Sequence, residues 1–264
     1  MKSCILCGDR LEPFECQFHN VCALTENMRA DVRPDIMPLS QEGGGVQMAI
    51  KRENPYIWVT WLTRLLVGEH SCEWSAWFKA QHEGSSWNKV PSTFDMATWQ
   101  VEHTGLVGQI RTQLEKEGKT VFTENQNSFV LRGSVAALGG KPDLVATSGG
   151  TGTIIDAKTG KESPAHYVQV MVYMYAVPRV LRQYSGMSFD GKVVYKDHEV
   201  SVPSSAVSQA FIENLSNLIR RLSSETPARK VPNLAECGFC DITKADCPER
   251  VEGGRIEEGE TTDF

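Results

Sequence analysis

The chain has no long hydrophobic run. Its most strongly apolar stretch, residues 167–177, is interrupted by Gln169. That is too short to span a bilayer, which takes about 20 apolar residues in a row. No apolar signal segment follows the opening Met-Lys-Ser-Cys, so a cytoplasmic location without membrane partners is expected. An excess of basic residues is also missing: 27 Lys and Arg stand against 33 Asp and Glu, a formal net charge of -6. Proteins that coat DNA non-specifically carry the opposite balance. A few local basic residues can still hold phosphates, and bound cations can offset acidic ones. There is no internal repeat. A phosphate-binding loop is absent too. Residues 149–161 are rich in Gly, Thr and Lys, including Thr159-Gly160-Lys161. The required order of strand, Gly-rich GK[ST] loop and helix does not occur, so an ATPase is not supported.

What is present is a 264-residue chain with 41% hydrophobic residues. That fits one large domain, or one domain with a small appendage. Eight cysteines are many for a chain without an export signal: Cys4, Cys7, Cys16, Cys22, Cys72, Cys237, Cys240 and Cys247. In such a chain disulfides are not expected, and metal or iron–sulfur ligation is the better reading. Residues 1–50 read as a Cys-rich leader followed by a Pro- and Gly-containing linker. Cys4-x2-Cys7 with Cys16, His19 and Cys22 can form a zinc knuckle, or these residues are a loose leader with free thiols. Residues 251–264 are acidic and Gly-rich and read as a disordered tail.

Between these ends, residues 56–82 read as helical, with Trp58, Trp61, Leu62, Leu65 and Leu66 at helical spacing. The aromatics there suit a core stripe better than a DNA-stacking surface. Residues 97–117 predict a helix stopped by Gly118. Extended segments are predicted at 120–124, 128–135, 144–147 and 153–157, with Gly149-Gly150 as a turn. A long helix follows over 165–183, with Pro178 predicting a kink or an early end. Residues 191–195 and 198–200 predict a hairpin, and 206–222 an amphipathic helix. This order implies an α/β domain.

Gly140-Lys141-Pro142-Asp143 leads into one predicted strand, and Asp156-Ala157-Lys158 lies on the next. The strand period of two puts Asp156 and Lys158 on one face. The Gly turn makes the strands neighbours, so Asp143 and Asp156 can converge beside Lys158. Carboxylates bind hard cations such as Mg2+ or Mn2+. A bound cation activates water and neutralises charge on a phosphodiester. The plainer alternative is a turn-capping Asp143 and an ordinary Asp156–Lys158 pair.

These motifs resemble the PD-(D/E)XK nuclease superfamily, specifically the RecB-like, Cas4-like iron–sulfur branch. Gly140 to Asp143 matches its Gly-x-x-Asp motif and Asp156-Ala157-Lys158 its (Asp/Glu)-x-Lys motif. Gln169 and Tyr173 match Gln-x-x-x-Tyr. The resemblance covers about residues 58–250 and implies a restriction-endonuclease-like core, a mixed central sheet flanked by helices, within a nuclease domain over residues 51–250. It implies Lys158, Asp143, Asp156, Gln169 and Tyr173 as catalytic residues, with the last two near the DNA. It implies His103, Asp143, Asp156 and the Ala157 carbonyl as metal ligands, with Glu102 as the competitor of His103 and Glu124 as a lesser candidate. It also implies that Cys72, Cys237, Cys240 and Cys247 hold a [4Fe-4S] cluster that staples the helical region. From the residues alone a Cys4 zinc site is the alternative. The implied activity is single-strand DNA exonuclease action on ends, in repair or defence, with a DNA-processing protein partner. The competing functions are a catalytically silent iron–sulfur DNA-binding or scaffold protein, and a regulator built on the N-terminal cysteines.

Overall fold

The structure, a computed structural model, describes residues 49–253. The N-terminal cysteines, His19 and the end of the acidic tail lie outside the described residues. The central feature is a mixed five-stranded sheet. It contains β2 (Thr120–Thr123), β5 (Leu144–Ser148), β6 (Thr151–Ala157), β7 (Ser188–Val194) and β8 (Glu199–Val202), in the order β2-β5-β6-β7-β8. β5 and β6 pair antiparallel with Leu144 opposite Ile155, and β6 and β7 pair parallel. A second, three-stranded sheet has the order β1-β4-β3, from β1 (Tyr56–Trp58), β3 (Phe129–Arg132) and β4 (Ala137–Gly140). The chain therefore leaves one sheet at Gly140 and enters the other at Leu144. The junction between them is Lys141-Pro142-Asp143, and Pro142 cannot donate to a ladder at that point.

Helices cover both faces of the larger sheet. The strand period explains how β6 serves both. Ile154 packs into the main core with Val170, Val172 and Val177 of the helix Pro164–Val180. Ile155 points the other way, against Leu114 of the helix Met96–Lys116 and against Leu144 and Ala146. In chain order the helices are α1 (Val59–Leu66), α2 (Glu73–Gln81), α3 (Met96–Lys116), α4 (Glu124–Asn127), α5 (Pro164–Val180), α6 (Gln209–Ser223) and α7 (Leu234–Gly238). α5 starts cleanly: Ser163 caps it by accepting the Ala165 N–H, and Pro164 takes a first-turn position where no N–H is needed.

Several expected elements differ. Residues 56–82 are a strand and two helices. Tyr56–Trp58 pairs parallel with Ala137–Gly139, and α1 closes at Gly68, whose φ of +76° breaks the helix. The expected strand 128–135 stops at Arg132, and a separate β4 follows. A four-residue helix, α4, replaces the end of the first extended segment. A capping box between Thr123 and Gln126 starts it. α5 runs past Pro178 to Val180, because a proline in the last turn removes one bond without breaking those before it. The expected hairpin after it is β7 and β8. The last amphipathic helix starts at Gln209, capped by Ser208, and the turn before it is a short 3-10 helix, Ser204–Ala206.

Gly140 shows why the Gly-x-x-Asp segment begins as it does. A Cβ there would lie 2.6 Å from Phe129 Cζ and 2.8 Å from Tyr173 Cε1. Both rings pack on this position, edge to face with each other. Gly140→Ala is therefore expected to destabilise the domain by about 1–3 kcal/mol, the usual cost of overpacking. Urea denaturation measures it, and an unchanged midpoint would sink the close-packing account.

Candidate active site

Asp143 and Asp156 sit side by side because β5 and β6 are paired. The register that sets Leu144 against Ile155 brings the two acids together at the strand ends. Both are buried, at 8% and 2% exposure. Asp143 Oδ2 accepts the Ala157 N–H at 2.7 Å, which fixes it across the strand pair. Asp156 Oδ1 accepts a hydrogen bond from Gln169 Nε2 at 3.1 Å. Asp156 Oδ2 pairs with the Lys158 ammonium at 2.7 Å. Lys158 Nζ also donates to Gln169 Oε1 at 3.1 Å. Gln169 Nε2 donates in turn to the Tyr173 hydroxyl at 3.0 Å. One side chain of α5 thus bridges the lysine and the carboxylate.

His103 reaches the same point from α3. Its Nε2 lies 3.3 Å from Asp143 Oδ2. That contact holds the imidazole above its ordinary pKa, against the opposing effect of burial. Glu102, the competing residue, points elsewhere and pairs with Lys196 at 2.8 Å. Glu124 and Lys141 pair at 2.7 Å and both line the cleft. Lys161 lines it as well. The cleft is open, with a volume of about 950 Å3.

Burial dominates the electrostatics. Removing Asp156 from water raises its pKa to about 6, although Lys158 pulls the other way. Keeping Asp156 ionised in this buried place costs free energy that a further positive charge would offset. A hard divalent cation fits such a donor set of buried carboxylate oxygens. Among the described residues no group of three or more His, Cys, Asp and Glu side chains is arranged to hold a metal ion as it stands. Tyr173 is also buried, and its phenol is pushed far above its ordinary range. The resemblance implied that Gln169 and Tyr173 lie near DNA. Both border the cleft, and a chain of hydrogen bonds runs from Lys158 and Asp156 through Gln169 to the Tyr173 hydroxyl.

Sequence reasoning passed over two groups that line this cleft, Trp99 and His166, and Phe94 beside the first. Trp99 lies four residues before His103 on α3, and its ring stacks on that imidazole at 4.9 Å. Phe94 precedes α3 and tilts against Trp99. His166 precedes Gln169 by three on α5 and lines the cleft. The i,i+4 and i,i+3 spacings were the available signals. His166 Nδ1 lies 2.9 Å from the Tyr195 hydroxyl. Burial, helped by Lys158, lowers its pKa to about 4. The unfolded chain therefore binds the proton more tightly. Stability from the neutral ring is complete above about 6.5 and is lost as pH falls towards about 4. The stability difference between wild type and His166→Gln is expected to shrink over that range and to level off above it. Denaturation at a series of pH values measures this, and a pH-independent difference would overturn it.

Away from the acids, Cys72, Cys237, Cys240 and Cys247 line one small cavity and form no disulfide. Trp74, Phe78, Trp87 and Ile242 pack around it. Glu236 accepts the backbone N–H groups of Ser71 at 2.6 Å and Cys72 at 3.3 Å. The Arg250 guanidinium donates to the carbonyls of Cys237, Cys240 and Ile242 at 2.7 to 2.9 Å. Backbone N–H groups of Val231 and Val251 point at the sulfurs of Cys72 and Cys237, both at 3.4 Å. Burial raises the thiols of Cys240 and Cys247.

Two mixed sheets flanked by helices, with two buried acids, a lysine and a histidine meeting in an open cleft, define an α/β protein equipped for hydrolytic chemistry. The family model of the PD-(D/E)XK nuclease superfamily matches residues 62–248, and the chain belongs to that superfamily. Its members generally use Mg2+ or Mn2+. No curated protein matches the chain. Among solved structures, the crystal structure of SSO0001 is similar at 17% identity and a TM-score of 0.42, over 76% of this chain and 90% of that one. No helix among the described residues is long and apolar enough to cross a membrane.

Proposed function

We propose that this chain is a metal-dependent DNA nuclease of the RecB-like, Cas4-like iron–sulfur branch. Its substrate is single-stranded DNA, attacked from a free end, in repair or defence-related processing with a protein partner. The observation that carries the reading is the meeting of Asp143, Asp156 and Lys158 in one open cleft, with Gln169 bridging the last two.

Asp143, Asp156, His103 and the Ala157 carbonyl would hold one or two Mg2+ or Mn2+ ions. When bound, such a cation lowers the pKa of water and neutralises the charge that develops on the phosphodiester. Lys158 orients or deprotonates the attacking water and screens the phosphate. Gln169 keeps the lysine in place from below, and Tyr173 keeps Gln169. Lys141 and Lys161 meet neighbouring phosphates.

Cys72, Cys237, Cys240 and Cys247 fit a [4Fe-4S] cluster better than one zinc ion. Thiolates around a single zinc at about 2.3 Å must crowd within roughly 4 Å of one another. The four thiols line one cavity, and the resemblance to the iron–sulfur branch is what favours a cluster over one zinc ion there. N–H groups aimed at sulfur are the contacts that tune such clusters. A zinc knuckle at Cys4, Cys7, Cys16, His19 and Cys22 is a further proposal. A catalytically silent scaffold would lack a member of the site, and every member lines the cleft.

The test is digestion of end-labelled single-stranded and duplex DNA with Mg2+ or Mn2+, with and without EDTA, and with blocked ends. Metal-dependent loss of the open-ended single strand is expected. No cleavage of any of these substrates would overturn the reading.

A further inference from the structure

α3 is built unlike the other long helices. Its first half is exposed, and of its 21 residues only Leu114 is buried. Apolar groups stand on this exposed end where they contribute nothing to the core. Phe94 is 56% exposed and Trp99 is 36% exposed. The rings are not scattered. Phe94 lies 6.2 Å from Trp99, and Trp99 stacks on His103 at 4.9 Å and 21°. His103 touches Asp143. A run of π-surfaces thus leads from solvent to the buried acids. Trp99 lines the same cleft as Lys141, Lys158 and Lys161.

We propose that Phe94 and Trp99 form a stacking platform for unpaired nucleobases at the edge of this cleft. The inference rests on the nuclease reading and assigns its substrate class to particular residues. Aromatic rings beside a basic groove are the physical means by which proteins hold single strands: bases stack while lysines follow the phosphates. A base locked in a duplex cannot present its face to a side chain, so the platform selects unpaired strands. Continuity with the acids favours a base over a protein segment as the occupant. A base stacked on Trp99 leaves its own phosphate within the cleft that holds Asp143.

The test compares binding of a fluorescent oligothymidylate with an abasic strand of equal length, in EDTA to prevent cleavage. The phosphates are the same in both, so only stacking differs. Wild-type protein is expected to bind the base-bearing strand roughly ten-fold more tightly. Trp99→Ala and Phe94→Ala should each reduce that preference, the double variant should abolish it, and Trp99→Phe should keep most of it. Trp99→Ala also uncovers His103, so Phe94→Ala, outside the helix that carries His103, is the decisive variant. Equal binding of both strands by wild type overturns the platform, as does a preference that is undiminished in Phe94→Ala. Neither result touches the nuclease reading, which depends on cleavage that requires Asp156.

Discussion

Asp156→Asn and Lys158→Ala are each expected to leave a folded chain whose DNA cleavage is slower by on the order of 100- to 1000-fold. That is the usual loss when a group that stabilises developing charge is removed. The two variants fail for different reasons. Asparagine keeps the shape of Asp156 and its bond to Gln169 but removes the charge that a cation needs. Alanine at 158 removes the ammonium that Gln169 and Asp156 hold in place. Stability separates this from simple damage. Burial raises the Asp156 pKa to about 6, so the native state binds that proton more tightly than the unfolded chain does. Wild type without metal therefore loses stability, relative to Asp156→Asn, as pH rises from about 4 through about 6. At neutral pH the inactive Asp156→Asn variant should melt no lower than wild type, as expected where an active site is held at a cost in stability. Cleavage assays beside thermal melts at several pH values decide the matter. A folded Asp156→Asn chain that cuts DNA at the wild-type rate would remove Asp156 from the chemistry.

The parts of this site that rest on short spacing were legible in the sequence. Asp156 and Lys158 share a strand face because they are two positions apart. Gln169 and Tyr173 share a helix face because they are four positions apart. The link between those two pairs was not legible. Nothing in the sequence says that Gln169 reaches both Asp156 and Lys158, because that depends on how α5 lies across β6. The strand Tyr56–Trp58 was missed for a similar reason. Its partner, Ala137–Gly139, is distant in the chain, and the aromatic spacing around it mimics a helix. Gly68 was passed over because a lone glycine is tolerated inside a helix, and only its positive φ marks the break. The four cysteines stood out in the sequence by their type. That they share one cavity came from the resemblance, since Cys72 stands far from the other three in sequence.

That separation sets up the second large effect. Cys247→Ser is expected to lower the stability of the anaerobically purified protein by about 2–5 kcal/mol, the range for removing a cross-link across a long loop. The four cysteines line one cavity between the start of α2 and the segment after α6, and a cluster held there would tie the two together. Protein contacts across this seam include Glu236 on the N–H groups of Ser71 and Cys72, the Arg229 carbonyl on the Trp74 N–H, and the packing of Trp74 and Phe78 against Ile242 and Cys247. Without the cross-link these contacts must hold the seam by themselves, with the thiols of Cys240 and Cys247, raised by burial, left among apolar neighbours. The loss should therefore appear first as local opening at Cys72 and Cys237, seen as faster amide exchange there, and only then as a lower melting temperature. Iron and acid-labile sulfide analysis should find a cluster in wild type and a reduced content in Cys247→Ser. Zinc in place of iron would support the four-cysteine zinc alternative. Wild-type protein without either metal, or a Cys247→Ser variant that melts with wild type, would show that the four thiols are no more than packed core residues.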